Sequence, residues 1–164
     1  MALNRRDFAV LILGAATGLG GGDTAATAAA HGFRIRAIAV NTTALRAQGG
    51  HPTAGWVQQA LPRQLARAFA TLMAPGDRAG ATLSVRIDSV SLGSIGAGRA
   101  ATDIMKGSAT LSAGTGASYH TSLRATSTYI PAAGDRPPSE QALQGRVTTL
   151  SHAFAGSLAG IWGA

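Results

Sequence analysis

Arg86, Lys106, His120 and Arg124 sit at alternate positions in segments rich in serine and threonine. Alternation with period two places such residues on one face of a sheet. A face of that kind is suited to holding an anionic head group or an acidic partner through charge-assisted hydrogen bonds. The same composition also serves a plain solvated face, and the sequence leaves that alternative open. Covalent chemistry has less to draw on. Gly116-Ala117-Ser118-Tyr119-His120 begins like a nucleophile elbow but lacks the closing glycine, so it reads as a turn entering a strand. Ser151 and His152 are neighbours on a helical stretch, where successive side chains diverge by about 100° and cannot pair with each other. The acids Asp77, Asp88, Asp103, Asp135 and Glu140 include no two at a helical metal-ligand spacing. Cysteine is absent, which removes thiolate ligands, a thiol nucleophile, disulfides and a lipobox anchor. The expectation is a non-enzymatic protein without cofactor or metal.

Residues 4–30 can be parsed in two incompatible ways. Arg5 and Arg6, with Phe8 two residues on, resemble the twin-arginine export motif. A weakly apolar run over residues 9–19 follows, and Ala28 and Ala30 supply the small residues before a cut at His31. The alternative is an NAD(P)-binding reductase similar to the short-chain dehydrogenases. In that reading residues 9–13 form a strand, Gly14, Gly18 and Gly20 a phosphate loop, and residues 35–40 the second strand. It is opposed by the lack of an apolar helix stripe over residues 23–30 and by Asn41 where a ribose-binding acid belongs. The Tyr-x-x-x-Lys pair is also missing, because Leu123 follows Tyr119 and Ala133 follows Tyr129 at the lysine position. The expected organisation is therefore a twin-arginine-type signal peptide over residues 1–30 and a single α+β domain over residues 31–164, located in the periplasm. A cut before His31 also creates an amino-terminal histidine, similar to the copper-binding histidine brace of polysaccharide monooxygenases. That site needs a second histidine, and no spacing selects among His51, His120 and His152.

At 164 residues the chain fits one domain with one core. Its net charge of +7 survives removal of residues 1–30, since Arg5 and Arg6 leave with Asp7 and Asp23. A basic protein favours anionic partners, which in an envelope are an acidic protein, an anionic lipid or lipopolysaccharide. The arginines form no run and stacking aromatics are few, so nucleic acid is not expected. The apolar run before Gly20 falls short of the roughly 20 residues that span a bilayer, and no later stretch does better. The oligomeric state is left open.

Residues 33–40 read as a strand and residues 41–55 as a long loop ending at Thr53, a helix cap. Val57, Leu61, Leu65, Phe69 and Met73 then recur every four residues, predicting an amphipathic helix over residues 56–73 that Pro62 kinks or restarts. Residues 82–92, 104–113 and 118–130 alternate as three meandering strands, with a phase shift that predicts a bulge near Asp88 and Ser89. The glycines of residues 93–102 read as a hairpin loop. Residues 131–138 are a turn-rich linker. Ser139 caps a final helix whose stripe is Leu143, Val147, Leu150, Phe154, Leu158 and Ile161. The order β-α-β-β-β-α predicts a two-layer α+β sandwich, with two helices on one face of a four-stranded, mainly antiparallel sheet. The segments WVQQALPRQLARAF, ATLSVRIDSVSLG and VTTLSHAFAGSLAGIW resemble a group of small, Tat-exported bacterial envelope proteins of uncharacterised function. More distantly, the layout resembles the α/β sandwich of transport-auxiliary proteins and of the LPS-assembly lipoprotein. Those resemblances imply an envelope binding or assembly role and bring no catalytic residues.

Overall fold

The computed structural model describes residues 33–48, 52–94, 100–114, 116–130 and 138–162. The readings placed on residues 1–30, on His31 and on His51 lie outside the described residues. The elements run β1 (Ile35–Asn41), α1 (Thr43–Ala47), α2 (Thr53–Ala68), β2 (Ala81–Ser91), β3 (Ala101–Ser112), β4 (Ser118–Tyr129) and α3 (Glu140–Trp162). They build an α+β sandwich with one sheet in the order β1-β2-β3-β4. β1 and β2 are parallel, joined through the helical crossover, while β2, β3 and β4 form an antiparallel meander.

Alternation along the strands decides which face is covered. In β3 the residues Ala101, Asp103, Met105, Ala109 and Leu111 point inward and are buried, whereas Lys106 and Ser112 are exposed. α2 and α3 lie against the inward face and against each other. Leu61 and Leu65 from α2 join Leu150, Phe154 and Leu158 from α3 in one core with Leu83, Ile87 and Met105 of the sheet. The rings of Phe69 and Trp162 close its end with centroids 6.3 Å apart and planes tilted by 52°. Burying this many aliphatic side chains is the main stabilising term, at about 25 cal/mol per Å² of apolar surface removed from water.

Four local expectations are corrected. The loop after β1 contains α1, started by the Asn41 side chain, whose Oδ1 accepts a hydrogen bond from the Thr43 amide at 2.8 Å. Thr53 does not cap α2. The cap is Pro52, whose φ of −63° suits a helix start and lets the helix begin at Thr53 with no side-chain cap. Pro62 does not restart the helix. Its missing N–H removes one bond, and burial of Leu61 and Leu65 on either side keeps α2 a single element. α2 ends at Ala68 rather than Met73, because the next residues use their backbone elsewhere. Ile35 donates to the Leu72 carbonyl at 2.8 Å and its own carbonyl accepts from Ala74 at 2.8 Å, so this segment runs along the outer edge of β1.

The predicted bulge is present. Ile87 pairs with Gly107 and Ser89 with Lys106, leaving Asp88 as the extra residue. Gly107 is required there, since a Cβ would run into the Arg86 carbonyl oxygen and lie 3.0 Å from Ile87 Cδ1. Ser139 caps α3 as predicted, with its Oγ accepting from the Ala142 amide at 3.2 Å. The turn before β4 is held by Ala113 donating to Ala117 at 2.8 Å and is made possible by the positive φ of 86° at Gly116.

Candidate anion-binding face

The outward side of the sheet is a grid of polar side chains whose spacing is fixed by strand register. One row runs Ala39, Ser84, Thr110, His120 across β1 to β4, and the next runs Asn41, Arg86, Ser108, Ser122. A third row begins beyond the bulge with Ser89, Lys106 and Arg124. The first two rows line a shallow groove of about 510 Å³ together with Asp88. All four cationic or imidazole residues singled out from the sequence therefore share this face.

They are not equivalent. Arg86 Nε lies 2.9 Å from Asp88 Oδ1, and both side chains are solvated, so that corner carries no net charge. Asp88 follows Arg86 onto the outward face by strand alternation, the bulge then brings Ser89 onto the same face, and the Asp88 carbonyl accepts from Gln48 Nε2 at 2.8 Å. His120 Nδ1 is 3.1 Å from Thr110 Oγ1 in an exposed pair. Lys106 and Arg124 are direct cross-strand partners. Opposed residues on antiparallel strands hold their Cβ atoms about 4.5–5.5 Å apart, and like charges so placed are destabilising. Among the described residues the ion pairs are Arg86–Asp88 and Arg146–Asp103, so neither Lys106 nor Arg124 has an acidic partner.

The second ion pair was missed by the sequence reading. Asp103 is fully buried on the inward face of β3, and Arg146 is buried on α3. Arg146 Nε donates to Asp103 Oδ2 at 3.0 Å and its NH2 group to Asp103 Oδ1, making a bidentate pair. The same NH2 group donates to the Gly93 carbonyl at 2.8 Å, and the Gly93 amide donates to Asp103 Oδ1 at 3.0 Å. The Tyr129 ring lies 5.1 Å from the guanidinium carbon and covers it. Every buried side-chain polar atom among the described residues is satisfied, and this cluster anchors the start of the β2–β3 connection. The signal was available. Asp103 falls on the core phase of β3, and Arg146 adjoins Val147 in the buried stripe.

The remaining candidates do not assemble into chemistry. Ser151 is buried and donates to the Val147 carbonyl at 2.8 Å, while His152 is exposed and 3.4 Å from Gln64 Oε1. Ser118 opens β4 after a turn and has no base as a hydrogen-bond partner among the described residues. No group of three or more His, Asp or Glu gathers as metal ligands among the described residues, and no described helix is long and apolar enough to cross a membrane. The glycine loop of the dinucleotide reading lies outside the described residues. The described sheet is not the doubly wound parallel sheet that reading needs, since only β1 and β2 are parallel.

No protein-family model matches the chain, and no curated relative matches it. Among solved structures, the chain is distantly similar to lipoproteins. A provisionally assigned lipoprotein from Caulobacter crescentus CB15 is 16% identical, with 85% of this chain and 98% of that one covered and a TM-score of 0.44. A minor lipoprotein from Acinetobacter baumannii is 11% identical, with 78% and 93% covered and a TM-score of 0.39. Rare lipoprotein B from Shewanella oneidensis is 10% identical, with 76% and 88% covered and a TM-score of 0.36. At these values the likeness assigns no residue a role.

Proposed function

We propose that the protein is a non-enzymatic binding or assembly module of the bacterial cell envelope, carried to the periplasm by its twin-arginine-type segment, which holds an anionic group on the polar face of its sheet. The observation that carries this reading is Lys106 directly opposite Arg124 with no acidic partner among the described residues. A phosphate or carboxylate between them turns a repulsive contact into two charge-assisted hydrogen bonds, and the hydroxyls of Ser108, Ser122 and Ser89 border the place it occupies. The net charge of +7 adds long-range attraction for the same ligands.

Two sources supply such a group in an envelope, an anionic lipid or lipopolysaccharide, and an acidic protein. Co-sedimentation with vesicles containing phosphatidylglycerol or lipid A, alongside titration with an acidic polypeptide, separates them. The expected result is binding to at least one, lowered about tenfold or more in Lys106→Gln/Arg124→Gln and weakened by salt. Equal binding by the native protein and the double variant would refute the site. For the address, amino-terminal mass spectrometry of protein recovered from the periplasm is expected to show a chain beginning at or near His31; an intact segment over residues 1–30 defeats the export reading.

A further inference from the structure

We propose that the free edge of β4 is a docking edge for an acidic, extended polypeptide segment, which adds to the sheet as a fifth strand. This rests on the anion-binding reading of the same face and names the partner.

The two edges of the sheet are treated differently. β1 is short, and the segment around Met73 pairs with it at Ile35, so its outer backbone is partly occupied. β4 has 12 residues and pairs with β3 in unbroken register from Ser112↔Ser118 to Ala101↔Tyr129. No described segment pairs with its other side. Proteins blunt open edges with proline, bulges, short strands or charge. β4 has no proline, no bulge and ample length, and Arg124 is its one formally charged residue. Alternate residues along it therefore offer an outward N–H and C=O to an incoming strand.

The side chains along that edge specify the incoming strand. On the outward face, His120, Ser122 and Arg124 stand in line, with Lys106 behind Arg124. On the inward face, Tyr119 and Leu123 remain half-buried, whereas Ala125 and Ser127 are fully covered. A strand laid beside β4 alternates in the same way. Its residues next to His120 and Arg124 complement them when acidic, and those next to Tyr119 and Leu123 extend the core when apolar. A second copy of this chain is the poorer occupant. Antiparallel pairing of β4 with itself sets one copy's row of His120 and Arg124 against the other's, between two chains each carrying +7.

The test uses the full chain and three synthetic peptides long enough to span β4: alternating glutamate and valine, the same peptide N-methylated at the backbone amides of two glutamates and two valines, and alternating lysine and valine. Affinity is read by fluorescence anisotropy, and backbone amide exchange of residues 118–129 by NMR. The glutamate–valine peptide is expected to bind and to slow exchange at alternate residues of β4. The N-methylated version keeps the charge and side chains but loses backbone donors in either strand direction, so it is expected to bind about tenfold more weakly or worse. The lysine peptide is expected not to bind. Equal affinity of the two glutamate peptides, with loss of both in Lys106→Gln/Arg124→Gln, overturns the docking edge and leaves the anion-binding face standing. Binding to vesicles but to none of the peptides has the same consequence. Failure of both peptides and vesicles removes both readings. Amides on the free side of β4 that are already protected without peptide show the edge to be filled by a second copy or by this chain's own segment, and also overturn it.

Discussion

Arg146 enters the interior with its charge met, because Asp103 and the Gly93 carbonyl accept from its Nε and NH2 groups and the Tyr129 ring covers its plane. Such a pair stabilises little relative to an apolar replacement but is costly to break, since removing one partner strands the other charge. Arg146→Ala is accordingly expected to lower unfolding free energy by about 3–5 kcal/mol in urea titrations. Arg146→Met/Asp103→Leu is expected to recover part of that. It does not recover all, because the Gly93 amide and carbonyl lose their partners, at about 1–3 kcal/mol for the unmet groups. A double variant no more stable than Arg146→Ala contradicts this account of the cluster. Neither residue stood out in the sequence. Arg146 is one of many scattered arginines, and no local pattern links positions 43 residues apart. The strand reading began at residue 104 and the helix stripe left Arg146 out, so both the burial and the pairing came from packing.

Elements were legible where period and burial agree. The alternation in β2, β3 and β4 and the bulge at Asp88 follow from which residues must avoid water, and both are seen. The end of α2 was not legible, because its apolar stripe continues through Met73 while the backbone leaves the helix to pair with β1. α1 escaped for the opposite reason, being a five-residue helix with no buried side chain within it to give a stripe. Glycines separate the two kinds of position. Gly107 sits against the Arg86 carbonyl at the bulge, and Gly107→Ala is expected to destabilise by about 1–3 kcal/mol through overpacking. Gly156 and Gly160 face open space on the exposed side of α3. Replacing each by alanine is expected to stabilise by about 0.5–1 kcal/mol through helix propensity. Thermal and urea unfolding of the three variants should therefore move in opposite directions, and a common direction contradicts the glycine assignments.

At the scale of the whole molecule, the sheet keeps its apolar side for α2 and α3, and among the described residues no helix packs across its polar side, so the basic balance of the chain appears on a surface of fixed geometry. The sequence could place Lys106 and Arg124 on that surface, but not opposite each other, because register depends on the β3–β4 turn and on Gly116. The opposition makes stability and binding pull apart, and one substitution tests that. Arg124→Glu converts a like-charge pair into an opposite-charge pair and lowers the net charge from +7 to +5, one cation being lost and one anion gained. It is expected to stabilise the fold by roughly 0.2–1 kcal/mol at low ionic strength, with the gain shrinking in salt as surface charges are screened. The same variant is expected to lose the anionic ligand, since the glutamate now occupies Lys106 and repels an incoming phosphate or carboxylate. Charge reduction elsewhere provides the comparison. Arg63→Glu on the exposed side of α2 makes the same change in net charge away from the sheet, and is expected to weaken binding only by its long-range share. Stability gained together with binding lost in Arg124→Glu, and binding largely kept in Arg63→Glu, marks the opposed cations as a site held at some expense to the fold. Equal loss in both variants reduces the effect to overall charge and removes the site.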